Sequence, residues 1–180
     1  MSRIHIFGAS GSGTTALGCT LAARMGYAHL DTDNYFWMPT DPPFQEKRGA
    51  GLRLEMLMED VHRHGNWVLS GSLCGWGDPC LPLLDLAVYV WIPHDLRMFR
   101  LEAREIERYG KDKAKPNGVW SESSRKFLDW AARYDSGGLD VRSRALHEAW
   151  MASLPCPVIR LEGDFSMDER VERVVSALGS

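Results

Sequence analysis

Short apolar runs alternate along the whole chain with stretches whose apolar positions recur every three or four residues. That alternation predicts strands and helices in turn, the arrangement of an α/β fold built on a parallel sheet. The predicted strands are Arg3 to Phe7, Tyr27 to Leu30, Trp67 to Ser70, Leu86 to Ile92 and Val158 to Leu161. Leu86 to Ile92 is almost uninterruptedly apolar, as a central strand covered on both faces must be. Predicted helices run from Thr15 to Met25, ended by Gly26, and then over 50–64, where Leu54, Leu57, Met58 and Val61 keep helical spacing. Pro93 opens the next helix, to Tyr109, and others follow over 121–134, 139–153 and 167–178. Within the helix after Pro93, Leu96, Phe99, Ala103 and Ile106 form the stripe expected to pack on the sheet. Residues 34–49 carry aromatics and prolines without either period and read as ordered but irregular. The polar, turn-rich stretch 110–120 reads as a mobile loop.

The length of 180 residues suits one domain, 1–180, with one continuous core. A net charge of -3 argues against a nucleic-acid surface, and no apolar run approaches membrane-spanning length. Cys19, Cys74, Cys80 and Cys156 form no metal-binding pair, and the chain opens directly on a strand. Free thiols in a reducing cytoplasm are therefore expected.

The chemistry is concentrated in Gly8-Ala9-Ser10-Gly11-Ser12-Gly13-Thr14-Thr15, between the first strand and the first helix. A strand, a glycine-rich turn and a helix N-terminus together make a phosphate-binding loop. The glycines let backbone N–H groups curl around phosphate oxygens, and the helix adds its positive end. Thr15 stands where a hydroxyl helps hold Mg²⁺. Thr14 stands where such loops usually carry lysine. Losing one donor of that kind costs on the order of 3 kcal/mol in the transition state, so another cation is expected to compensate.

A second reading of the same residues is a dinucleotide site. Gly11-x-Gly13-x-x-Ala16 fits that fingerprint, with Asp31 and Asp33 about 20 residues on, where a ribose-binding acid belongs. Tyr109 and Lys113 even have the spacing of a reductase dyad. This reading implies NAD(P) rather than ATP.

The phosphate loop, Asp31-Thr-Asp33 and the strand Trp67 to Ser70 followed by Gly71 resemble the adenylate kinase-like branch of P-loop kinases, alongside shikimate and gluconate kinases. Some members of that class are similar in having Gly-Ser-Gly-Thr-Thr without the lysine. The resemblance implies a three-layer sandwich with a five-stranded parallel sheet of order 2-3-1-4-5, with ATP and Mg²⁺ as cofactors. It implies that Asp31 and Thr15 order the metal and that Asp33 orients the acceptor. Of Arg97, Arg100, Arg104 and Arg108, which share one helical stripe, it points to Arg100 for adenine and Arg104 for phosphate, leaving Arg97 and Arg108 as surface charge. Across a lid at 110–120 it points to Arg144 and Arg133, on the reasoning that Arg142 and Arg144 take opposite faces of a helix. Gly163-Asp164 matches a turn that meets adenine through its backbone.

The acceptor region, 34–64, departs from nucleoside monophosphate kinases. No arginine follows the third strand in Gly71-Ser-Leu-Cys-Gly-Trp-Gly-Asp78. Phe36, Trp37 and Trp76 are candidates for an aromatic wall, and Lys47, Arg48 and Arg53 for charge facing an anionic small-molecule acceptor. The resulting expectation is a monomeric or homodimeric kinase transferring the ATP γ-phosphoryl group to a small hydroxyl- or phosphate-bearing acceptor. A nucleotide-binding regulator without efficient turnover is the alternative that Thr14 raises.

Overall fold

In a computed structural model, which describes residues 2–41, 43–109 and 122–179, five parallel strands form one sheet. They are β1 (Arg3–Gly8), β2 (Ala28–Asp31), β3 (Trp67–Ser70), β4 (Leu86–Trp91) and β5 (Val158–Glu162). Their order is β2-β3-β1-β4-β5, as the kinase resemblance implies. In a dinucleotide fold β2 lies beside β1, whereas here β3 separates them and Asp31 ends an edge strand. The topology therefore overturns the dinucleotide reading. The Tyr109 side chain and Lys113 lie outside the described residues, as does the expected lid at 110–120.

The helices are α1 (Thr14–Met25), α2 (Thr32–Phe36), α3 (Ala50–Arg63), α4 (His94–Tyr109), α5 (Glu122–Ala132), α6 (Arg144–Met151) and α7 (Met167–Leu178). Alternation along β1 assigns its side chains to two cores. Ile4 and Ile6 join Leu17 and Leu21 of α1 and Val171 and Val174 of α7 on one face. His5 and Phe7 point the other way, towards Trp150 on α6. Leu57 and Val61 of α3 cover Trp67 and Leu69 on that second face. Helices on both faces of the sheet make the three layers.

Two local expectations change. The irregular stretch after β2 begins with the short helix α2, because the Asp31 side chain accepts from the Asp33 amide and caps its start. Arg48 holds its end by donating to the carbonyls of Tyr35 and Trp37, so it is a structural cation rather than a free one. On α4, Phe99 is 70% exposed, and the buried face is instead Arg97, Leu101 and Glu105. That face is covered by α5: Arg97 donates to the Ala131 carbonyl at 2.7 Å and to Asp135 Oδ2 at 2.8 Å. A residue expected on the surface is thus fully buried, since its stem packs under α5 while its head is hydrogen-bonded.

Candidate active site

The C-terminal ends of β1, β2 and β3 open into one cleft of about 1190 Å³. Ligands in open α/β sheets bind at this end of the strands. The phosphate loop forms its floor: Gly11 and Gly13 take left-handed φ values of 84° and 91°, and α1 starts directly behind them. The loop is braced from within by Ser12, whose hydroxyl donates to the Ala9 carbonyl at 2.8 Å. Gly8, Ala9, Ser10, Gly11, Gly13, Thr14 and Thr15 all line the cleft, whereas Ser12 is buried behind it.

Asp31 is the hub of the polar network. Its Oδ2 accepts from Thr15 Oγ1 at 2.8 Å and from Ser70 Oγ at 3.0 Å, while Oδ1 accepts from the Asp33 amide at 2.9 Å. Ser70 in turn meets His29 Nε2 at 3.0 Å. One carboxylate and one hydroxyl suit Mg²⁺, which keeps several waters and shares the remaining positions with phosphate oxygens. Among the described residues no group of three or more His, Cys, Asp or Glu could form a complete metal cage, so the donor set fits a metal carried with a polyphosphate.

Asp33 also lines the cleft, ringed by protein although water reaches it. Burial raises its pKa, and the neighbouring Asp31 charge raises it further; Arg142 and Arg104 pull the other way. A carboxylate whose proton affinity is raised is better suited to accept a proton than an ordinary one.

The arginines sort differently from the sequence expectation. Arg100, Arg104 and Arg108 do line the cleft. Arg100 pairs with Asp164 at 3.1 Å, bridging α4 to the turn after β5. Arg104 lies 5.8 Å from the Phe127 ring and Arg108 4.7 Å from that of Phe44. Arg144, however, faces Glu148 and Glu162 and stacks on Trp91, away from the cleft. Arg133 is exposed outside it as well. The cleft receives Arg142 instead. The reason is that α6 begins only at Arg144, capped by Ser143. Arg142 lies in the bend before the helix and lines the cleft, so the assumed helical opposition does not apply.

Gly163 donates its amide to the Trp91 carbonyl at 2.9 Å, tying the turn after β5 to the sheet. Neither Gly163 nor Asp164 reaches the cleft lining directly. On the acceptor side, Phe36, Trp37, Phe44 and Lys47 line the wall. Arg53 is spent in a stack, 4.4 Å from Phe36 and 5.2 Å from Trp76. Gly71 and Ser72 line the cleft as well.

Sequence reasoning missed Arg142 and Arg170. For Arg142 the only available signal was the helix-start pattern at Ser143, which would have separated it from α6. Arg170, on α7, donates to the Ser12 carbonyl at 2.8 Å across 158 residues of chain; nothing in the local pattern marks such a contact.

No family model matches the chain. It is similar to the uncharacterized protein YqaC of Bacillus subtilis (strain 168), with 49% identity over 178 residues that cover 99% of this chain and 98% of that protein. Among solved structures it is similar to the shikimate kinase from Bacteroides thetaiotaomicron, with a TM-score of 0.60, 18% identity and 99% of each chain covered. It is also similar to deoxyadenosine kinase from M. mycoides with bound dATP, with a TM-score of 0.58, 11% identity and coverage of 99% and 100%. A gluconokinase from Sinorhizobium meliloti 1021 superposes with a TM-score of 0.50, 14% identity and coverage of 99% and 91%. Such identities carry the fold and no more. The chain therefore belongs to one family with YqaC, and its fold is that of the P-loop kinases of the shikimate and gluconate kinase-like branch.

Proposed function

We propose that this protein transfers the γ-phosphoryl group of ATP to a small, anionic, hydroxyl-bearing acceptor, with Mg²⁺ as the accompanying metal. The observation that carries the proposal is the shared cleft: Thr15 and Asp31 stand hydrogen-bonded at the mouth of the phosphate loop, and Asp33, two residues on, lines the same cleft. The first pair suits a metal-bound polyphosphate, and the second carboxylate suits a proton acceptor.

In this mechanism the acceptor hydroxyl oxygen bonds to the γ-phosphorus as the bond from that phosphorus to the β,γ-bridging oxygen breaks. The electron pair leaves with ADP, and the hydroxyl proton passes to the Asp33 carboxylate. Mg²⁺ would supply neutralising charge to the polyphosphate. Thr15 and Asp31 would hold it, and the loop amides orient the phosphates. Arg142 and Arg104, the cations that act on Asp33, favour an acceptor carrying its own negative charge. Arg100 and the turn after β5 flank the region assigned to adenine.

Thr14 favours one other reading, a nucleotide-binding regulator with little turnover, because no lysine reaches the outer phosphates from that position. Calorimetric titration with ATP, ADP, GTP and NAD(P), with and without Mg²⁺, tests both. We expect ATP and ADP to bind and Gly13→Asp to lose them, since φ at position 13 is 91° and an added side chain would strain the loop and set a carboxylate against Arg170. An acceptor screen then separates kinase from regulator. NAD(P) binding with indifference to ATP would sink both.

A further inference from the structure

Arg170 is a buried cation with an unusual position. The residue is 3% exposed and links α7 to the phosphate loop. Nη1 donates to the Ser12 carbonyl at 2.8 Å, and Nε donates to the Phe165 carbonyl at 3.0 Å. Among the described residues, no carboxylate lies within ion-pair distance of it. The nearest acid that acts on it, Asp164, is already paired to Arg100, itself a second cation nearby. A buried charge left without a counter-ion is costly. Among the described residues the local field is therefore net positive, with two arginines set against the single Asp164 carboxylate.

The atom that Arg170 touches gives that field a direction. The Ser12 carbonyl and the Gly13 N–H belong to one peptide unit. A charged donor on the oxygen draws electron density through that unit and makes its N–H a stronger donor. Gly13 is the N-cap of α1, so its amide is among those that a helix leaves without an internal partner. It also lines the cleft. A Cβ at Gly13 would come within 3.3 Å of Nη1, so charge and loop are in near contact.

We propose that Arg170 supplies, from behind the phosphate loop and through the Ser12–Gly13 peptide, the positive charge that Thr14 does not supply from the front. The inference rests on the reading that a polyphosphate occupies this loop. Arg170 is then a positioning residue: it touches no ligand and acts through Gly13. It holds the peptide in the orientation that binds phosphate and polarises it.

The test is a double-mutant cycle between positions 170 and 14, read as the dissociation constants of Mg²⁺·ATP and of inorganic tripolyphosphate. Arg170→Gln keeps a donor for the Phe165 carbonyl but removes the charge and its contact with Ser12, and should weaken both ligands about tenfold. Thr14→Lys should restore most of that loss in the Arg170→Gln chain while adding less than about threefold to the otherwise unchanged protein. A purely structural role for Arg170 would show no rescue by a lysine elsewhere. Thr14→Lys alone keeps the idea testable even where Arg170→Gln does not fold: a gain of about tenfold or more in the parent chain would mean the charge was missing, and would overturn the proposal. Unchanged binding by folded Arg170→Gln would overturn it too, with the phosphate reading intact. Failure of the parent chain to bind either ligand would overturn both.

Discussion

The Thr15 hydroxyl donates to Asp31 Oδ2 at 2.8 Å, although the two residues come from opposite sides of β3 in the sheet order. The contact closes the phosphate loop against the edge strand and presents two oxygens together. Removing the charge alone, in Asp31→Asn, should weaken Mg²⁺·ATP binding by about ten- to hundredfold and leave metal-free ADP nearly unaffected. Calorimetry with and without Mg²⁺ checks this. Equal losses in both conditions would assign Asp31 to loop structure instead.

Arg142 and Arg144 are two residues apart, yet the first lines the cleft and the second does not. Arg142 acts on Asp33, while Arg144 reaches Glu148 and Glu162. Arg142→Met should therefore raise the pKa of the Asp33 carboxyl, because a cation favouring its ionised form is gone. Arg144→Met should leave it alone. A carbon-detected NMR titration of Asp33 in both variants distinguishes them without knowledge of the acceptor. With an acceptor in hand, Arg142→Met should cost roughly ten- to hundredfold in kcat/KM.

Gly71 follows β3 with φ at 101°, and an added Cβ would lie 1.8 Å from Thr32 Oγ1. Both the backbone conformation and the close approach exclude a side chain there. Gly71→Ala should destabilise the fold by about 2 kcal/mol or more, read as a lowered urea midpoint. Adding Thr32→Ala should recover only part of it, because the strain in φ remains. Full recovery would show that the steric contact alone matters.

His5 and His147 are buried on the same side of the sheet. Burial, helped by Arg142 and by His5, lowers the His147 pKa to about 3, and burial lowers that of His5 to about 4 although its Leu69 hydrogen bond works the other way. Both are neutral in the fold at neutral pH. In the unfolded chain each binds a proton below about pH 6.5. The unfolded state thus holds more protons between about 6.5 and 4, and stability must fall as the pH drops through that window. The slope is up to about 1.4 kcal/mol per pH unit for each histidine. Urea midpoints from pH 7.5 to 5 should show the decline, and His147→Gln should roughly halve it. A flat profile would mean that the histidines are charged in the fold.

Strand positions and the phosphate loop were legible because each rests on local rules, whereas the sheet order came from the kinase resemblance, since no local rule fixes which strands pair. Trp67–Ser70 and Met167–Leu178 occur where apolar spacing alone puts them, and Gly26 ends α1 in the left-handed conformation that glycine permits. The short helix α2 was not legible, since a five-residue helix has no measurable period and is held by the Asp31 cap and by Arg48. Spacing on α4 identified a basic stripe but not its environment. Whether Arg97 meets water or the underside of α5 depends on a packing partner some 34 residues away in the chain. The same holds for Arg142 over Arg144, and for Arg170 against a carbonyl 158 residues distant. By itself, then, the sequence determined the elements and the loop that could cradle phosphate, because backbone preference and hydrophobic period act over a few residues. Only the tertiary structure decided which arginines face the cleft, because charge is placed by distant contacts whose register no local pattern encodes.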